Sequence, residues 1–131
     1  MAEIQCIVVT PEATVLETSA EFIALPLYDG ELGIAYNHSP MIGRLGYGEM
    51  RLKVKGAVER YYIDGGFVQV ANNVVSVLTS RAVPASLVKK EVAQKQLEEA
   101  MKKPIITQEQ VEVRDRLIAQ ARAQLGVAAK A

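Results

Sequence analysis

Hydrophobic and polar positions along the chain follow two periods, and the change falls at Pro84. Before it, they alternate. Ile4, Cys6 and Val8 are spaced by two in a run that Thr10-Pro11 stops, as in a strand with one buried face. Val15 to Leu27 is rich in β-branched and apolar residues; Ile23, Leu25 and Leu27 alternate, and Pro26 is admissible only at an edge or a bulge. Met41 to Gly48 follows, with Gly43, Gly46 and Gly48 expected to bend it. Glu49 to Lys55 then alternates charged and apolar residues closely enough to read as a half-buried strand. Gly56-Ala57 returns it into Val58–Ile63 as a hairpin. Asp64-Gly65-Gly66 is expected to be the next turn, before Phe67–Ala71. Asn72-Asn73, which tolerates left-handed geometry, is a further tight turn before Val74–Thr79. Strands this short and this regularly punctuated predict an antiparallel β-sandwich or barrel over residues 1–84.

Beyond Pro84 the period becomes helical. Ser86 to Lys103 has neither Gly nor Pro, and Leu87, Ala93, Leu97, Ala100 and Met101 share a face, which predicts an amphipathic helix of about five turns. Pro104 breaks it. Thr107 and Gln110 have capping-box spacing and open a second helix. Along that helix Val111, Ile118, Ala121, Leu125 and Ala128 take heptad positions, and Arg114 stands where an apolar residue is expected. Residues 85–131 therefore form an antiparallel two-helix hairpin that buries too little to stand alone and needs a host surface.

Composition narrows the function. Half the residues are hydrophobic, with no Trp and two Phe, so the core is aliphatic. Fifteen basic and fifteen acidic side chains argue against a general nucleic-acid or anionic-membrane binder. The balance is uneven: residues 1–84 carry net −3 and residues 85–131 net +3, which points to an acidic partner for the tail region. Cys6 is the one cysteine, so there is no intrachain disulfide, and its place in an alternating run makes it a small buried hydrophobe. No apolar run is long enough for a membrane span and the N-terminus has no signal pattern, so any membrane association is expected to go through a partner.

The densest stretch of candidate chemistry is Asp29 to Pro40, which joins a turn dipeptide, a short apolar step at Leu32 and Ile34, and the chain's one histidine, His38. A metal at Asp29, Glu31 and His38 lacks a second His or Cys to close a transition-metal site. Ser39 adjoins His38 in an extended segment and is not placed as its nucleophile. Gly65-Gly66 is not followed by the Gly-Lys-Ser/Thr of a phosphate loop. No catalyst emerges.

Asp29-Gly-Glu-Leu-Gly-Ile34 followed by His38-Ser-Pro40 resembles the signature of the epsilon subunit of F-type ATP synthase, with Asn37 where that family often has Gly. Tyr62-Ile-Asp-Gly-Gly-Phe-Val-Gln-Val70, Asn73-Val-Val-Ser-Val-Leu78 and the Ala-rich Leu117–Leu125 are similar to its later motifs, in order and spacing. The resemblance implies a non-catalytic rotor subunit of the central stalk without a cofactor. Its sandwich would pack on the gamma subunit and the c-ring, and its helices would restrain hydrolysis at the catalytic alpha and beta subunits. It implies c-ring contacts at Glu31 and His38, and inhibitory contacts to the beta subunits at Arg114, Arg116 and Arg122. It places the protein peripherally on the cytoplasmic face of a bacterial inner membrane, or the organelle equivalent. Some members bind ATP through Ile/Leu-Asp-x-x-Arg-Ala. Here Val88 replaces the Asp and Glu91 the Arg, so nucleotide binding is expected to be lost. The competing reading is a free-standing β-sandwich binding module with a helical dimerisation hairpin.

Overall fold

The computed structural model describes residues 2–130. Its elements run β1 (Ile4–Val9), β2 (Thr14–Ala20), β3 (Phe22–Leu27), β4 (Gly30–Ile34), β5 (Met41–Val54), β6 (Ala57–Ala71), β7 (Val74–Leu78), β8 (Ala82–Pro84), a 3-10 turn (Ala85–Leu87), α1 (Lys90–Met101) and α2 (Gln108–Lys130). The strands order as β2-β1-β7-β6-β5-β3-β4, with β8 also on β6. Every pairing is antiparallel except β1 with β7. The class is the expected one, a β-sandwich followed by two helices.

The β5–β6 hairpin is shared by both layers. Met41 to Leu45 and Phe67 to Ala71 pair beside β7 and β1, whereas Tyr47 to Val54 and Ala57 to Asp64 pair beside β3, β4 and β8. The inward positions step from Leu45 to Met50 on β5 and from Ile63 to Val68 on β6. Both steps are odd, so the alternation slips by one residue where the hairpin passes between layers. Gly65 (φ 72°) and Gly66 (φ 108°) absorb that slip. A Cβ on Gly66 would lie 1.9 Å from the Leu78 carbonyl oxygen, so only glycine allows β7 to approach here. This corrects two expectations. Asp64-Gly65-Gly66 bends a continuous strand and does not reverse it, and Met41–Gly48 and Glu49–Val54 belong to one long strand, with Lys55 in the turn that follows.

Two other turns fall one residue before the dipeptides that signal them, at Tyr28-Asp29 and at Lys55-Gly56, with Gly30 and Ala57 already in strands. Asn72 and Asn73 both have positive φ and close the β6–β7 turn. Pro26 lies within the interval where the β3–β5 register shifts, where its missing N–H is tolerated. The core is aliphatic, built from Ile4, Val8, Ile23, Leu25, Leu52, Ile63 and their neighbours. Cys6 is fully buried among them, and burial pushes its thiol up to about 12, which makes it unreactive.

α1 packs on α2, and α2 packs on β5 and β6. The first helix starts at Lys90, because Ala85–Leu87 forms a 3-10 turn that tucks Ala85 against Tyr62. It is therefore a twelve-residue helix, shorter than expected, and Leu87 and Met101 are exposed. The capping box forms as expected: Thr107 Oγ1 accepts from the Gln110 N–H at 3.2 Å, and Gln110 Oε1 accepts from the Thr107 N–H at 3.1 Å. The buried stripe of α2 leaves the heptad positions, passing through Ile118 and Ala121 to Gln124 and Val127. Steps of three advance about 300° each, so these four residues wind roughly half-way round a helix that packs on α1 as well as on β5 and β6.

Candidate functional site

Glu31 stands near the start of β4, beyond the Tyr28-Asp29 turn, and His38 lies in the loop past its end. They sit toward opposite ends of one short strand, and among the described residues no hydrogen bond or ion pair joins them. Asn37 (φ 65°) accepts at its side chain from Asn73 Nδ2 at 3.3 Å and donates its N–H to Asn73 Oδ1 at 2.6 Å. That clasp ties the His38 loop to the β6–β7 turn. His38 Nδ1 lies 2.7 Å from the Ser39 carbonyl; since a carbonyl only accepts, Nδ1 carries the proton and Nε2 is left for another partner.

Glu31 is not free. Arg51 holds it through two contacts, Nη2 to Oε1 at 2.6 Å and Nη1 to Oε2 at 3.1 Å. That hydrogen bonding, aided by the charges of Arg51 and of Lys130 on α2, holds the Glu31 carboxyl below its ordinary range, with partial desolvation opposing. Arg51 also reaches Glu49 Oε1 at 3.5 Å, and Arg60 reaches the same oxygen at 2.8 Å. The Glu49 side chain is only 7% exposed, and its Oε2 has no hydrogen-bond partner among the described residues. Among them no group of three or more His, Cys, Asp or Glu side chains is placed to hold a metal.

Arg114 is half-buried in the helix seam, 3.9 Å from Asp115, whereas Arg116 and Arg122 are exposed. At about 100° per residue, Arg116 points roughly opposite Arg114, and Arg122 is some 80° round from it. The three do not form one basic patch on the docked helix. Val88 packs on the cluster around Tyr62, and Glu91 is exposed at the first turn of α1. The cleft beside Val88, which Arg81 and Lys89 also line, holds about 160 Å³. That is below the roughly 300–1,000 Å³ of small-molecule sites.

Two features were not assigned to residues from the sequence. The first is an apolar surface on the outside of the layer without helices. Arg44, Phe67, Leu78 and Val9 lie in one row across four strands, and Ile42, Gln69, Ser76 and Ile7 in the next. Ile42 is 76% exposed, Phe67 57% and Leu78 51%. These side chains are out of phase with the buried Val68, Val70, Val75 and Val77, a signal the sequence carries. The second is the contact that seats α2 on the other layer, where fully buried Tyr62 packs with Ala85 and Val127.

Residues 3–85 match the family model described as "ATP synthase, Delta/Epsilon chain, beta-sandwich domain". An ATP synthase epsilon chain of Rhodopirellula baltica is 51% identical over 122 residues, 93% of this chain and 95% of that one. One of Desulfitobacterium hafniense is 42% identical over 97 residues, 69% of this chain and 74% of its own. Among solved structures, a chain of the Euglena gracilis mitochondrial ATP synthase, in an OSCP/F1/c-ring assembly, superposes with TM-score 0.87 at 24% identity, covering 100% of this chain and 83% of that one. A chain of the Tetrahymena thermophila central stalk/c-ring gives 0.75 at 15% identity, with 95% of both covered. The chain belongs to the ATP synthase epsilon-chain family, a non-catalytic subunit of that enzyme.

Proposed function

We propose that the chain is a rotor subunit linking the gamma subunit to the c-ring of a proton-translocating F-type ATP synthase, and that it attaches to gamma through the apolar outer face. That face is the observation that supports the reading. It gathers Ile42, Phe67 and Leu78 in the open, beside Ile7 and Val9, on the sheet surface away from the β5 and β6 positions on which α2 packs. Exposed patches of this kind mark interaction surfaces.

In this reading residues 1–84 carry attachment and residues 85–131 carry control. Glu31 and His38 meet the polar loops of the c-ring. Arg114, Arg116 and Arg122 restrain ATP hydrolysis by meeting the catalytic beta subunits in an extended form of the hairpin, in which their scatter around α2 is no obstacle to separate contacts. No nucleotide is bound tightly, given Val88 and Glu91. The subunit is peripheral to the membrane, on the cytoplasmic face of a bacterial inner membrane or the organelle equivalent, and is held there by the complex.

The test is coexpression with gamma followed by purification through this chain. Retention of gamma at one-to-one stoichiometry supports the rotor reading. A chain that purifies alone, or pairs with itself through its helices, is the free-standing module instead.

A further inference from the structure

The hairpin is seated on the sheet chiefly through α2, which packs on β5 and β6. Beside β6 the apolar cluster at this seat is small: Tyr62, Ala85 and Val127, with Val88 and Ala123 partly buried beside them. The polar part converges on one carboxylate. Asp64 Oδ1 accepts from the Tyr62 hydroxyl at 2.9 Å and from Gln120 Nε2 at 2.9 Å. Its Oδ2 accepts from Ser80 Oγ at 3.3 Å, and the same hydroxyl bonds the Asp64 carbonyl at 2.8 Å. The Asp64 N–H donates to the Arg81 carbonyl at 3.1 Å. Asp64 is thus fixed from the sandwich side by its own backbone, by Tyr62 and by Ser80, and Gln120 reaches it from the helix.

Gln120 makes the side-chain hydrogen bond that joins helix to sandwich among the described residues. Gln124, one turn on, approaches the Tyr62 hydroxyl closely enough to favour the ionised phenol. Burial, followed by the neighbouring Asp64 charge, raises the Tyr62 hydroxyl well above its ordinary range and keeps it a neutral donor to that carboxylate. Tyr62 therefore belongs to both halves of the contact, its ring under Val127 and its hydroxyl on Asp64. Lifting α2 would wet both at once.

We infer that Asp64 is the latch of the hairpin: Gln120 engages it when α2 lies on the sandwich, and this contact sets the balance between seated and released helices. The inference rests on the regulatory reading above and assigns it a residue-level control point. Gln120 is on the helix surface, so replacing it leaves the sandwich core untouched.

Backbone hydrogen exchange of the full chain tests the latch without reference to hydrolysis. In Gln120→Ala, the amides from Leu117 to Val127 should exchange about tenfold faster, as expected for loss of one hydrogen bond to a charged acceptor. The amides of β1 and β7 should keep their protection. Gln120→Glu sets a second carboxylate against Asp64 and should accelerate the same helix amides further. Unchanged exchange in both variants, or equal acceleration in β1 and β7, overturns the latch. Faster helix exchange with unaltered hydrolysis in the reassembled complex supports the latch and counts against the regulatory reading, so the two fail separately.

Discussion

The two outer faces of the β5–β6 hairpin are opposite in character. On the half beside β7 and β1 the outward residues of the hairpin are Ile42, Arg44, Phe67 and Gln69, and Ile42 and Phe67 stand bare beside Leu78 of β7. On the half beside β3 the outward residues are Glu49, Arg51, Arg60 and Tyr62, and this more polar half is the one α2 covers. Folding for its own sake would put the helices over the apolar half. The hydrophobic effect, at roughly 25 cal/mol per Å² of apolar area, favours covering the bare face, yet the chain covers a face threaded with ion pairs. The bare face therefore suits a partner that stays, and the polar face suits a cover that can lift off.

The largest effect expected within the isolated chain compares two aromatics of one strand. Tyr62→Ala removes a fully buried ring from under α2 and should cost about 3 kcal/mol, read as lost hairpin protection in hydrogen exchange. Phe67→Ala, on the bare face, should change stability by less than about 0.5 kcal/mol in denaturant titration. Equal costs would dissolve the distinction between the faces.

Arg51→Ala comes next. It releases Glu31 and leaves Glu49, with one buried oxygen already unpaired, to Arg60 alone; a loss of about 1–2 kcal/mol in denaturant titration is expected. A neutral result would mean the ion pairs under α2 are solvated bystanders.

The smallest effect concerns acid. The folded-state carboxyl of Glu31 is lowered, so its contribution is present above the unfolded carboxylate pKa and is lost as pH falls through the lowered folded value. Its side chain is 54% exposed, so screening keeps the term under about 0.5 kcal/mol. Glu31→Gln should remove that part of the acid-side loss in thermal melts. Replacing Glu31 and His38 together by Ala should likewise leave stability within about 0.5 kcal/mol while weakening proton-driven synthesis. Unchanged synthesis would make both ordinary surface.

Much of this was legible where local rules decide. The Thr107/Gln110 box, the Asn72-Asn73 turn and the alternation of Glu49 to Val54 each depend on neighbours in sequence, and each forms. Asp64-Gly65-Gly66 misled because a positive φ serves a reversal and a bend equally well; the approach of β7 to Gly66 decided, and that is a tertiary contact. The start of α1 was misplaced for a similar reason, since Ala85 serves the Tyr62 cluster before any helix begins. For Glu31, the stretch around it stood out in the sequence, but its partner Arg51 is twenty residues away on another strand. Phe67 and Leu78 alternate with the buried Val68, Val70, Val75 and Val77, so the sequence shows two opposite faces, and the packing of the two layers decides which of them is turned outward.

The most direct test of the division between the faces is calorimetric titration of gamma with three full-length forms of the chain: the natural sequence, Phe67→Glu/Leu78→Glu, and Gln120→Glu. The face variant should bind at least about 100-fold more weakly, since two buried apolar anchors at an interface carry on the order of 2 kcal/mol or more each. The latch variant should bind like the natural chain. Undiminished binding by the face variant, or loss of binding by the latch variant alone, would contradict the account.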